Sequence, residues 1–177
     1  SAADAEQKVR QFFEGYHIAD VRLTGETLAR DVKAYNFVLT DENGMEIFAQ
    51  ITKNGGQLAF FDSYEACSEK NFDLESCDNL ARAYLSGLGY EHLTPVWFSD
   101  AGSVASITYV AQENGVRMYP DMIRVRVCEQ KGRVVGMDAR SYLVNHHGER
   151  QIKAALSQEE VSSKIASSLT VRSSHLA

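Results

Sequence analysis

Ile123-Arg124-Val125-Arg126-Val127-Cys128 alternates without a break. In a strand that puts Ile123, Val125 and Val127 on one face and Arg124, Arg126 and Cys128 on the other. Such a strand belongs to an antiparallel sheet that is covered on one side and wet on the other. The same pattern stands earlier in the chain, where Ile47, Ala49 and Ile51 oppose Phe48 and Gln50. Working outward, strands are expected at 18–24, 33–40, 46–52 and 57–62, and again at 93–99, 103–111, 121–129 and 133–140. Asn43-Gly44 and Asn114-Gly115 fall where the second strand of each set turns into the third, and Asn-Gly is a strong hairpin signal.

Helical spacing precedes each set. Cys77, Leu80, Ala81, Tyr84, Leu85 and Leu88 form one apolar stripe, with Asp73 as N-cap and Gly87 or Gly89 as stop. Ala5, Val9, Phe12, Phe13 and Tyr16 form another, with Gly15 near its end. A third helix is expected over 157–169. It opens with a capping box of Ser157 and Glu160 and carries Val161, Ile165 and Leu169 on one face.

The chain repeats itself. Phe12-Phe13 corresponds to Tyr84-Leu85, Asn43-Gly44 to Asn114-Gly115, and Ile47, Ala49 and Ile51 to Ile123, Val125 and Val127. The second copy gains its extra residues at 116–120, where Pro120 interrupts a strand pattern and marks a bulge or a strand entry. The fold class read from this is α+β. Tandem units, each one helix packed on a four-stranded antiparallel sheet, occupy 1–63 and 64–150. An orphan C-terminal helix at 151–177 starts a further, truncated unit. Units of this size have small cores, so the two are expected to pack together.

Composition narrows the function. The 177 residues are 44% hydrophobic and 24% charged, with a net charge of −6. No basic run is present, so nucleic acid is not expected as a partner. No apolar stretch reaches the ~18 residues of a membrane helix. The chain opens on Ser1-Ala2-Ala3-Asp4 and runs straight into a helical pattern, which reads as a segment of a longer protein. Cys67, Cys77 and Cys128 make an odd count without a C-x-x-C, and three ordinary thiols are expected.

No nucleophile elbow, zinc-protease motif, phosphate loop or dinucleotide fingerprint occurs, and no catalytic residue, cofactor or metal is expected. Asn145-His146-His147-Gly148-Glu149 offers two imidazoles and a carboxylate. A structural zinc site wants four convergent ligands, so a loop-capping or interface pair is the better reading. Arg124, Arg126 and Arg140 line the wetter face, either as an anion-attracting groove or as a solvated face among acidic neighbours. Tyr119-Pro120-Asp121 is either a contact loop or a bulge with Tyr119 packed on the core. Trp97 and Phe98 are adjacent on a strand, so one points outward, where it is expected to fill the contact between the units.

The meandering sheet and Gly132–Ala139, which reads Gly-Arg-Val-Val-Gly-Met-Asp-Ala, resemble the PepSY domain. Tyr119-Pro120-Asp121-Met122-Ile123-Arg124-Val125-Arg126-Val127, Gly136-Met137-Asp138-Ala139 and Tyr142-Leu143-Val144-Asn145-His146-His147 are similar to the C-terminal region of the YpeB-type spore germination family. That resemblance implies a non-enzymatic, extracytoplasmic interaction module on the envelope side of the inner spore membrane. It also implies a membrane anchor outside this segment. The implied partner is a cortex-lytic cell-wall hydrolase of the SleB type, stabilised or restrained by contact. A protease-inhibitory PepSY module and a peptidoglycan or small-ligand binding domain are the alternatives. The residues expected to make contacts are Tyr119, Pro120, Asp121, Arg124, Arg126, Arg140, Tyr142, His146 and His147.

Overall fold

The computed structural model describes residues 1–29, 31–148, 157–165 and 169. It is an α+β fold built on one antiparallel sheet of eight strands. Helix α1 (Ala2–Phe12) starts on Ser1, whose hydroxyl accepts the Asp4 N–H while the Asp4 carboxylate returns to the Ser1 amine. A short 3-10 turn (Glu14–Tyr16) ends at His17 in the left-handed region and feeds the first four strands. These are β1 (Ile18–Ala29), β2 (Val32–Asp41), β3 (Glu46–Thr52) and β4 (Leu58–Ser63). Helix α2 (Leu74–Gly87), capped by Asp73 on the Ser76 N–H, precedes β5 (Leu93–Ala101), β6 (Val104–Glu113), β7 (Val116–Cys128) and β8 (Arg133–Asp138). Asn114 and Gly115 both have positive φ, as the tight hairpin between β6 and β7 requires.

The strand order β1-β2-β3-β4-β8-β7-β6-β5 joins two meanders through β4 and β8. The expectation of a separate four-stranded sheet under each helix therefore gives way to one continuous sheet. The physical reason is that β4 and β8 would otherwise be bare edges with unpaired N–H and C=O groups. Their ladder is short, Phe60↔Asp138, Phe61↔Met137 and Asp62↔Gly136. Two tyrosines reinforce it reciprocally. The Tyr16 hydroxyl donates to the Val134 carbonyl on β8 at 2.6 Å, and the Tyr90 hydroxyl donates to the Leu58 carbonyl on β4 at 3.1 Å.

Both helices cover the same face, α1 over β1–β3 and α2 over β6–β8. One apolar cluster runs beneath them, from Val9, Phe13 and Phe37 through Phe61 to Leu85, Ile107 and Val125. Phe61 sits at its centre, edge-on to Phe13 at 5.1 Å and tilted on Tyr84 at 5.9 Å.

Several expectations change here. Cys67 and Cys128 form a disulfide, and Cys77 alone among the three is a free, buried thiol. The linker after β4 runs along the β7–β8 turn and brings Cys67 to Cys128 at the end of β7, a contact that no local spacing announces. Trp97 and Phe98 do not fill a contact between halves. Strand β5 is the outermost strand on the side away from the β4–β8 join, and both side chains are exposed, Trp97 at 67% and Phe98 at 43%. The third helix, α4, is shorter than expected. It keeps its capping box but stops at Lys164, and both Val161 and Leu169 are exposed. An unanticipated helix, α3 (Arg140–Asn145), follows β8.

Candidate functional site

The sheet face opposite the helices carries the arginines. Cross-strand register aligns Phe60, Asp138, Arg124, Thr108 and Trp97 in one row, and Phe48, Asp62, Gly136 and Arg126 in the next. Arg126 pairs with Asp62 across the β4–β8 join. Its guanidinium lies flat over Gly136, where an added Cβ would meet Nη2 at 2.6 Å. Glycine at 136 therefore lets the guanidinium lie close to the backbone, and no special backbone angle calls for it. Arg140 grips Asp138 through two contacts, 2.9 Å from Nε and 2.6 Å from Nη2, and stacks over the Phe60 ring at 4.5 Å. The bond to Asp138 raises the Arg140 pKa against the opposing effect of burial. Arg124 is exposed, and none of the described residues holds its guanidinium. Among Phe60, Asp62, Arg124, Arg126, Gly136 and Asp138 lies a depression of about 150 Å³.

The other expected residues gather at one end of the sheet. Ladder pairing of β6 with β7 jumps from Met122 to Met118, so Tyr119, Pro120 and Asp121 form a bulge. The bulge reading holds in part: Tyr119 is 38% exposed and not packed in the core. Instead the bulge turns Asp121 fully inward, where its carboxylate meets His146 Nδ1 at 2.9 Å. Glu113 stands 3.9 Å from the same nitrogen. His146 closes α3, stacks on Tyr142 at 4.5 Å, and Tyr142 in turn packs edge-on against Tyr90. Burial raises the Tyr142 pKa, and the Asp121 and Glu113 charges add to the rise. Asn145 donates to the Pro120 carbonyl at 3.1 Å, so α3 is fastened to the bulge from both sides.

The nine residues thus divide. Arg124, Arg126 and Arg140 share the open face, while Tyr119, Pro120, Asp121, Tyr142 and His146 share the bulge. His147 is exposed, whereas His146 is held by Asp121. Glu149 lies outside the described residues. Among the described residues, no group of three or more His, Cys, Asp or Glu is placed to hold a metal.

A third cluster was not legible. The Glu65 carboxylate, 2% exposed, takes Nε and Nη2 of Arg133 at 2.7 Å each and also pairs with Lys131. Burial would raise the Glu65 pKa, but the hydrogen bonds and charges of Arg133 and Lys131 outweigh it and hold it low. Partners 66 and 68 residues away in the chain leave no local signal.

Comparison with known proteins settles the family. A family model described as "YpeB sporulation, PepSY1 and PepSY2 domains" matches residues 1–153. The chain belongs to this family. Sporulation protein YpeB of Bacillus subtilis (strain 168) is 30% identical over 181 residues, covering 98% of this chain and 40% of that protein. Sporulation protein YpeB of Halalkalibacterium halodurans is 29% identical over 144 residues, covering 81% and 32%. The chain spans about a third to two fifths of the length of these YpeB relatives. The solved Bacillus megaterium YpeB C-terminal domain has the same fold, with a TM-score of 0.82 at 24% identity, over 98% of this chain and 77% of that one. The YpeB resemblance of the 119–147 stretch and the α+β class thus stand.

Proposed function

We propose that this YpeB-family segment is a non-enzymatic docking module. It holds a cortex-lytic hydrolase of the SleB type by protein contact, stabilising or restraining it. The observation that carries the reading is the open sheet face. Arg124 stands there exposed, with no ion-pair partner among the described residues, flanked by two arginines that carboxylates hold in place, one of them also stacked on Phe60. Because Asp62 and Asp138 pair with Arg126 and Arg140, Arg124 is the cation this face offers, and it is suited to an acidic group on a partner. Exposed Trp97 on the same row supplies the aromatic anchor that protein interfaces favour.

The depression on this face is about 150 Å³, below the ~300–1,000 Å³ of small-molecule pockets. That size suits a partner side chain and argues against a glycan site on this face. The disulfide supports an extracytoplasmic setting, because such bonds persist in oxidising compartments and are rare in the cytosol. The full-length protein is membrane-anchored in this reading, with the module on the envelope side of the inner spore membrane. Co-purification of the chain with a tagged cortex-lytic hydrolase tests it. A saturable complex supports the proposal, and no complex at tens of micromolar of each protein overturns it.

A further inference from the structure

Residues 64–72 run from β4 to α2 as a strap laid along the β7–β8 turn. Four kinds of contact hold the strap down. The buried Glu65 carboxylate sits on Arg133 and Lys131. The Ser68 N–H donates to Gln130 Oε1 at 3.0 Å. The Asn71 and Phe72 N–H groups both donate to the Glu129 carbonyl at 3.0 Å. Between them the Cys67–Cys128 disulfide ties strap to sheet, with Cα atoms 5.8 Å apart. A depression opens on each side of this tie. Tyr64, Glu65 and Ala66 wall one of about 570 Å³, facing Lys131 and Arg133. Lys70, Asn71 and Phe72 wall the other, of about 750 Å³, facing Asp100 and Glu129.

We propose that the disulfide is a redox latch on this strap, opened by a dithiol reductant and closed by an oxidising environment. Cys67 is half-buried, whereas Cys128 is fully buried, so the attack falls on the Cys67 sulfur. A reductant thiolate bonds to Cys67 Sγ, the S–S bond breaks, and Cys128 leaves as a thiolate that takes up a proton. The second reductant thiol then closes on the first and releases the Cys67 thiol. Two electrons and two protons pass to the protein, and the dithiol becomes a disulfide.

The latch spans 61 residues of sequence, containing α2, β5 and β6 and nearly all of β7. Opening it restores the chain freedom that the cross-link removes from the unfolded state. It also leaves the strap on non-covalent contacts alone, and local opening then parts Lys131 and Arg133 from the Glu65 carboxylate they share. The closed strap holds the Glu65 carboxylate against both cations, and the open strap takes that carboxylate away. This holds whatever partner the arginine face takes.

Hydrogen–deuterium exchange on the whole chain, with and without dithiothreitol, tests the latch. Denatured without reductant, the protein should yield one alkylatable thiol, Cys77, and after reduction three. Amides at 65–72 and 129–132 should exchange at least tenfold faster in the reduced protein. Its Tm should fall on the order of 10 °C. Cys67→Ser should reproduce that state and ignore dithiothreitol. If Cys67→Ser fails to fold, comparing oxidised with reduced wild type decides alone. Three alkylatable thiols before reduction, or unchanged exchange at 65–72 after it, would overturn the proposal.

Discussion

At the scale of single residues, two tyrosines and two glycines hold more than their size suggests. Tyr16 and Tyr90 each cross the β4–β8 join to a buried carbonyl, and Leu58 and Val134, which supply those carbonyls, occupy matching places in the two repeats. Tyr→Phe at either position leaves a carbonyl short of its donor, so each change should cost about 1–3 kcal/mol in denaturant melts. Gly132 has φ of +61°, and a Cβ there would stand 2.5 Å from the Phe72 ring. Gly132→Ala therefore meets strain and overlap together and should destabilise by about 1–3 kcal/mol. Gly136→Ala meets only the Arg126 guanidinium, a movable group, and should cost under ~1 kcal/mol while freeing Arg126 from Asp62. Strand alternation made the faces of Ile123, Arg124, Val125 and Arg126 readable directly. It could not reveal that Cys128, on the polar face, would be buried by a cysteine arriving from the linker.

At the scale of elements, local chemistry was the reliable guide. Asp73 and Ser157 cap their helices as read, and Asn114-Gly115 turns its hairpin. The element that sequence reasoning missed is α3, whose six residues are too few to show a helical period. Its place is fixed by tertiary contacts, Asp121 on His146 and Asn145 on the Pro120 carbonyl. Asp121→Ala removes the buried acceptor that holds His146. Hydrogen exchange should then accelerate over 140–145 ahead of the sheet, with a global loss of about 1–3 kcal/mol. Equal protection of α3 in the variant would show that the bulge does not fasten it. Strand β5 was placed correctly, but it does not meet the other unit as expected of Trp97 or Phe98, because strand order across a sheet depends on which edges meet. Nothing in the residues around Trp97 encodes that.

For the molecule as a whole, the repeat was legible and its consequence was not. Offsets in the sequence pointed to two small units packed together, each on its own four-stranded sheet, and the chain closes its two meanders into one sheet over one core centred on Phe61. Unfolding should accordingly be a single transition by circular dichroism and fluorescence, and two resolved transitions would contradict the shared core. Alkali should trigger it. Burial raises the pKa of Tyr16, Tyr90 and Tyr109 above the ordinary value of 10.0, and Tyr84 well above it. Above pH 10 the unfolded chain then holds fewer protons than the folded one. Stability therefore falls as pH rises past that point and is fully present below it. Tyrosinate absorbance should appear together with loss of structure.

The central claim is that the open arginine face docks an acidic partner, and titration calorimetry with the cortex-lytic hydrolase tests it most directly. Arg124 is exposed and unpaired among the described residues, so Arg124→Glu should leave stability within about 0.5 kcal/mol of wild type. The reversed charge should weaken binding at least tenfold, with a smaller loss in high salt. Unchanged affinity in a folded Arg124→Glu protein would contradict the account.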